Sequence, residues 1–184
     1  MKRKTTKEII AESFRELSKK KSVEKITIQE IVDNCDFSPA TFYRHFRDKY
    51  DLMAWDYTHD TSAIMKQIDD KEYFWEQTLT DAAEYYDTHR EYLKNLLTNT
   101  SGYNAFVRNM AEINVELLKD EVVRKAGNTN LPKDVILLIK LYCYGMVELS
   151  CEWIVGEIDA RPEEMEEAYK KAMPEELRKY LQEW

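Results

Sequence analysis

Two helix-start signals, at Thr27 and Ser38, leave room between them for only one very short helix and a turn. Thr27-Ile-Gln-Glu30 is a capping box: the Thr hydroxyl accepts from the backbone N–H three residues on, and Glu30 reaches back to the cap. Ile28, Ile31 and Val32 follow at helical spacing, and the pattern runs only to about Asn34 before Cys35-Asp36-Phe37. Ser38-Pro39 then gives an N-cap followed by proline at the first helical position. The helix it opens, residues 39–46, is also short. Phe42 and Phe46 share one face of it, leaving Ala40, Thr41, Tyr43, Arg44 and His45 on the others. Two short helices across a three-residue turn are a helix-turn-helix.

The surroundings agree with an all-α chain. Ile9, Ile10, Phe14 and Leu17 recur at three- and four-residue spacing upstream, which predicts an amphipathic helix over residues 5–21. Asp48 caps a fourth helix expected from Lys49 to about Ile68, with Leu52, Met53, Trp55, Ala63 and Ile64 as its apolar content. Further helices are predicted at about 72–88, 90–98, 103–125, 132–157, 162–172 and 174–183. Only four Gly and four Pro occur in 184 residues, against roughly 13 and 9 at average usage, so turns are few. The predicted architecture is a three-helix head over residues 1–50, joined by the fourth helix to a helical body over residues 51–184.

Several function classes drop out. The most apolar stretch, Val135 to Val155, contains Lys140, Glu148 and Glu152, a poor membrane span. The basic N-terminus runs into Glu8, Glu12 and Arg15 rather than the apolar core of a signal peptide. Cys35, Cys143 and Cys151 make neither a disulfide framework nor a zinc knuckle, and a cytoplasmic location is expected. His59 and His89 lack metal-ligand spacing, and GxSxG, P-loop and GxGxxG motifs are missing. The chain is therefore read as a non-enzyme with no metal and no cofactor. Residues 1–50 hold 12 Lys and Arg against 8 Asp and Glu, net +4, whereas residues 51–184 hold 15 against 27, net −12. Such a charge division orients a head toward a polyanion and its body away from one.

The stretch Thr27 to Leu52, TIQEIVDNCDFSPATFYRHFRDKYDL, resembles the TetR/AcrR family of bacterial transcription regulators. Thr27, Ser38, Thr41, Phe42, Tyr43, His45, Phe46 and Lys49 carry the resemblance, which covers roughly residues 5–55. Where family members commonly have glycine in the turn this chain has Asp36, a residue able to take positive φ at modest strain. The segment TFYRHFRDKYDLM, with Trp55 after it, is also similar to the family's branch related to the activator of dihydroxyacetone-kinase operons. The resemblance assigns effector sensing and dimerisation to the body over residues 51–184. It implies a homodimer on a palindromic double-stranded DNA operator, with a small-molecule effector or a protein co-regulator acting through the body.

A recognition helix enters the major groove with short or polar residues leading, and Pro39, Ala40 and Thr41 meet that need. Ala40 and Thr41 suit a thymine methyl, Arg44 a guanine or a phosphate, and His45 lies one residue further on. Tyr43 and Thr27 offer hydroxyls to phosphates, and Lys49 combines its charge with a helix N-terminus. By the resemblance, Gln29 also reaches a base. The competing structural reading of Tyr43 and His45 is a packed aromatic pair. Phe42 and Phe46 are assigned to the core. Lys2, Arg3, Lys4 and Lys7 form either a DNA-following arm or a solvated tail. The many aromatics of the body either line an effector cavity or are ordinary core. The helix over 132–157 is apolar nearly all round, so several of its faces need covering. The resemblance implies a dimer through it and the helices over 162–183, with Gly145 permitting close approach. The competing functional class is a helical protein-interaction module that keeps the helix-turn-helix fold with weak or lost DNA binding.

Overall fold

Thr5 and Thr27 each begin a helix through a reciprocal capping box, with Glu8 and Glu30 as their acidic partners. The computed structural model describes residues 3–65, 75–98 and 103–181. Among these, ten α-helices follow in order: α1 Thr6–Ser18, α2 Ile28–Asp33, α3 Pro39–His45, α4 Lys49–Met65, α5 Trp75–Thr88, α6 Arg90–Thr98, α7 Tyr103–Ala126, α8 Lys133–Val155, α9 Pro162–Ala172 and α10 Glu175–Leu181. Lys2, Phe74, Gly102 and the helical residues expected at 66–68, 72–74 and 182–183 lie outside the described residues.

Ser38 opens α3 by accepting the Thr41 N–H at 3.2 Å. Asp48 opens α4 by accepting from the N–H groups of Tyr50 and Asp51 at 2.8 and 2.9 Å. Between α2 and α3 the chain turns through Asp36 at φ 56°, and the Phe37 N–H returns to the Val32 carbonyl at 2.9 Å. Asp36 thus takes the left-handed conformation that glycine usually supplies. A 3-10 turn at Val23–Lys25 joins α1 to α2 and buries Val23. The sequence showed this segment only as a break in the helical pattern.

The core runs without interruption from the head into the body. Phe14, Ile31, Phe42, Leu52 and Met53 belong to the same buried cluster as Leu93, Leu96 and Trp153. A second cluster around Val122, Ile139 and Leu177 joins α7, α8 and α10. The buried face of α4 differs from expectation. Leu52 and Met53 are buried, but so are Asp56, Tyr57 and Thr61, while Ala63 is exposed and Ile64 is only partly covered. Polar residues occupy the core-facing positions because each has a partner; Thr61 Oγ1, for instance, donates to the Tyr57 carbonyl at 2.8 Å. No helix among the described residues is long and apolar enough to cross a membrane.

Candidate nucleic-acid interface

Phe42 and Phe46 anchor α3, fully buried against the head, with their rings 5.7 Å apart. Burial of two rings four residues apart fixes the rotation of this two-turn helix and so decides which residues face solvent. Ala40, Tyr43 and Arg44 are exposed, Tyr43 at 59%, while Pro39, Thr41 and His45 are half-buried. The Tyr43 ring meets the Phe42 ring in a T-shaped contact with centroids 5.6 Å apart. Arg44 lies along the helix, donating Nη2 to Thr41 Oγ1 at 3.0 Å. Thr41 in turn shares a hydroxyl contact of 3.1 Å with Ser38. A guanidinium held beside a threonine hydroxyl on an exposed helix start is a ready set of donors for base edges or phosphate oxygens.

The neighbouring residues frame this surface. Thr27 and Gln29 of α2 are exposed, and the Gln29 amide is folded onto Asp33 Oδ1 at 2.7 Å. Donors from Lys21, and then the Thr27 N–H and hydroxyl, hold the Glu30 carboxyl down at about 2. It therefore remains an acceptor that fixes the start of α2 across the ordinary pH range. Lys49 is oriented inward: its Nζ donates to the carbonyls of Val23, Glu24 and Ile26 at 3.0, 2.7 and 3.2 Å. Those contacts use all three ammonium protons, leaving none for a phosphate. Of the N-terminal cations, Lys4 pairs with Glu12, and Lys7 Nζ lies over the rings of Phe46 and Trp55 at 5.2 and 5.4 Å. Arg47 reaches solvent next to Asp51, a site the sequence reading passed over because it falls between two helices.

Two polar fastenings tie this head to the body. The Asn95 amide of α6 donates to the carbonyls of Ser18 and Lys21 at 2.7 and 2.9 Å and accepts the Val23 N–H at 3.2 Å. One body side chain thus satisfies the end of α1 and the start of the 3-10 turn. At the second fastening, Arg15 of α1 grips Asp56 of α4 through Nε and Nη2, both at 2.7 Å, and reaches Asp60 as well. Burial lowers the affinity of Arg15 for its proton, but the two carboxylates outweigh that effect and hold the guanidinium charged. Spacing gives the signal for Asp56, which sits four residues after Leu52 and three after Met53, on the buried side. Among the described residues, no group of three metal-ligating side chains comes together.

Comparison with known proteins places this geometry. The family model described as "Bacterial regulatory proteins, tetR family" matches residues 5–54, and the TetR model described as "Transcriptional regulator C-terminal region" matches residues 74–175. No curated protein matches the chain. Among solved structures, the "Dihydroxyacetone kinase operon activator DhaS" is similar with a TM-score of 0.69 at 16% identity, over 96% of this chain and 98% of that one. A TetR transcriptional regulator from Streptococcus agalactiae 2603V is similar with a TM-score of 0.58 at 19% identity, over 92% and 94%. The TetR family repressor AlkX from Dietzia sp. strain DQ12-45-1b gives 0.61 at 12% identity, over 95% and 98%. At these identities the likeness is one of fold.

Proposed function

Because the chain belongs to the TetR family of bacterial regulatory proteins, we propose that it is a dimeric, sequence-specific DNA-binding regulator acting in the cytoplasm. Its operator affinity is altered by a small molecule or a protein bound to the body. The observation that carries the reading is the division of α3, with Phe42 and Phe46 buried and Ala40, Tyr43 and Arg44 turned to solvent. In this reading Pro39, Ala40 and Thr41 approach the bases. Arg44 takes a guanine or phosphate, and His45 stands at the groove edge. Tyr43 and Thr27 bind phosphates, and Gln29 extends the contact from α2. Lys49 contributes by holding the Val23–Ile26 turn against the start of α4. The head is taken as residues 1–50 and the body as residues 51–184.

Support for the dimer comes from α8. Leu137, Leu141 and Tyr144 are 57%, 72% and 44% exposed on one stripe, and a side chain added at Gly145 would meet nothing within 4 Å. An apolar helix stripe left in water is a natural seam for a second copy. The outward side of α9, by contrast, carries Glu163, Glu164, Glu167 and Lys171, so α8 is the element we assign to the seam. Two heads across such a two-fold axis suit half-sites one DNA turn, roughly 34 Å, apart. An effector then acts by changing the separation of the heads, since only different contacts in the two states alter affinity. Selection of bound duplexes from random DNA tests the reading. Enrichment of a two-fold symmetric site is the expected outcome, and an unenriched pool would refute it.

A further inference from the structure

Where the end of α1 meets α6, head and body border an open groove of about 490 Å³, within the roughly 300–1,000 Å³ usual for small-ligand clefts. Lys19, Lys21 and Ser22 line it from the head, and Glu91, Lys94 and Thr98 line it from α6. Three lysines against one glutamate make this wall basic, in a chain whose acidic residues outnumber its basic ones by 35 to 27. Lys21 is committed to Glu30. Lys19 and Lys94 are exposed and form no ion pair among the described residues, although Glu91 stands three residues before Lys94 on α6.

The carboxyl end of a helix ordinarily repels anions, because its last carbonyls carry the negative pole of the helix dipole. Here those carbonyls are occupied. Ser18 Oγ donates to the Arg15 carbonyl at 2.7 Å, and the Lys20 and Lys21 N–H groups reach the Leu17 carbonyl at 3.0 and 3.2 Å. The Asn95 amide covers the carbonyls of Ser18 and Lys21. Tyr92, also on the wall, has its hydroxyl engaged with Asp56. The ammonium groups of Lys19 and Lys94, the hydroxyl of the half-buried Ser22 and the Glu91 carboxylate remain for a ligand.

We propose that this groove binds a small phosphomonoester whose remaining part carries hydroxyl groups. The phosphate oxygens accept from the ammonium groups of Lys19 and Lys94 and from the Ser22 hydroxyl, so that a dianion meets two cations. Glu91 accepts from the hydroxyls of the ligand and repels a second phosphate, which selects one phosphate group over a polyphosphate. A bound ester ties Lys19 and Ser22 of the head to Lys94 of the body, across the same boundary that Asn95 fastens. Its influence on operator affinity rests on the reading given under Proposed function.

Glucose 6-phosphate is the probe, with glucose and tripolyphosphate as controls, each added to the full chain at constant ionic strength. Titration is followed by NMR at the Ser22 amide and the Asn95 side-chain amide. Glucose 6-phosphate is expected to shift both signals to saturation at millimolar concentration, glucose to leave them unmoved, and tripolyphosphate to bind more weakly. Lys19→Met and Lys94→Met should each weaken glucose 6-phosphate binding about tenfold, the effect of losing one bond to a charged group. Both should keep the unfolding midpoint of the free protein, because both side chains are exposed. Unmoved signals, tighter binding of tripolyphosphate, or wild-type affinity in both variants would overturn the proposal. So would a random-sequence duplex that shifts these signals when glucose 6-phosphate does not, since the groove would then serve the DNA backbone. Binding to selected DNA is measured in parallel. A chain that takes glucose 6-phosphate in this way but binds no DNA keeps the site and loses the regulator reading. A chain that binds DNA and not glucose 6-phosphate does the reverse.

Discussion

Tyr92 of α6 donates its hydroxyl proton to Asp56 Oδ2 of α4 at 2.9 Å, and the same carboxylate is gripped from α1 by Arg15. Asp56 is 2% exposed, so three helices meet on one buried charge. Removing different partners should cost different amounts. Tyr92→Phe deletes one neutral donor and is expected to lower stability by about 1–2 kcal/mol. Arg15→Met strands a buried carboxylate and is expected to cost about 3–5 kcal/mol. Urea denaturation of the two variants checks the order; equal midpoints would show that Asp56 does not depend on the guanidinium.

Lys49 and Arg44 are expected to separate a structural cation from one that meets DNA. Lys49→Met breaks three carbonyl contacts and is expected to lower stability by about 2 kcal/mol while leaving the salt dependence of DNA binding unchanged. Arg44→Ala should leave the unfolding midpoint in place. If Arg44 meets a phosphate, this variant also reduces the slope of log K against log salt by ~1. Binding isotherms at several salt concentrations distinguish the two residues.

The α8 stripe predicts a dimer that can be broken without damage to the protomer. Leu141 is 72% exposed and Gly145 has open space around it, so Leu141→Glu and Gly145→Leu should preserve helicity and the far-ultraviolet spectrum. Both should shift the mass measured by sedimentation equilibrium at micromolar concentration from two chains toward one. A monomeric wild type would remove the dimer from the account.

Acid should loosen the start of α2. Glu30 titrates at about 2 in the folded chain, against its ordinary 4.5, with Lys21 as the largest cause. Between these two values the unfolded chain binds more protons than the folded one. The contribution of Glu30 is therefore complete above pH 4.5 and is lost as pH falls toward 2. Lys21→Met should move the Glu30 carboxyl titration upward, as read by carbon NMR, and reduce the loss of stability in that window.

Much of this architecture was legible because helix starts are written locally. Thr27 with Glu30, Ser38 with Pro39, and Asp48 are side chains that pair with backbone a few residues away, and each opens the helix expected of it. Asp36 was readable for the same reason, since backbone conformation at a turn depends on the residue that adopts it. The fastenings between head and body were not legible. Asn95 acts on carbonyls more than seventy residues away, and Asp56, although its spacing from Leu52 and Met53 sets it on the buried side of α4, has no visible partner until α1 and α6 are packed against it. Lys49 was misleading in a similar way: its place at a helix start implied a phosphate, but the Val23–Ile26 turn brings three carbonyls to it first.

The most direct test of the central claim compares the wild type with a Thr41→Ala, Tyr43→Ala, Arg44→Ala triple variant on the DNA selected by the wild type. None of the three is buried, while Phe42 and Phe46 remain to hold α3 in place. The account predicts an unfolding midpoint close to wild type, with affinity for the selected site falling at least a hundredfold toward the level for random DNA. A triple variant that bound the selected site as tightly as the wild type would contradict it, because the outward face of α3 would then not be the surface that reads DNA.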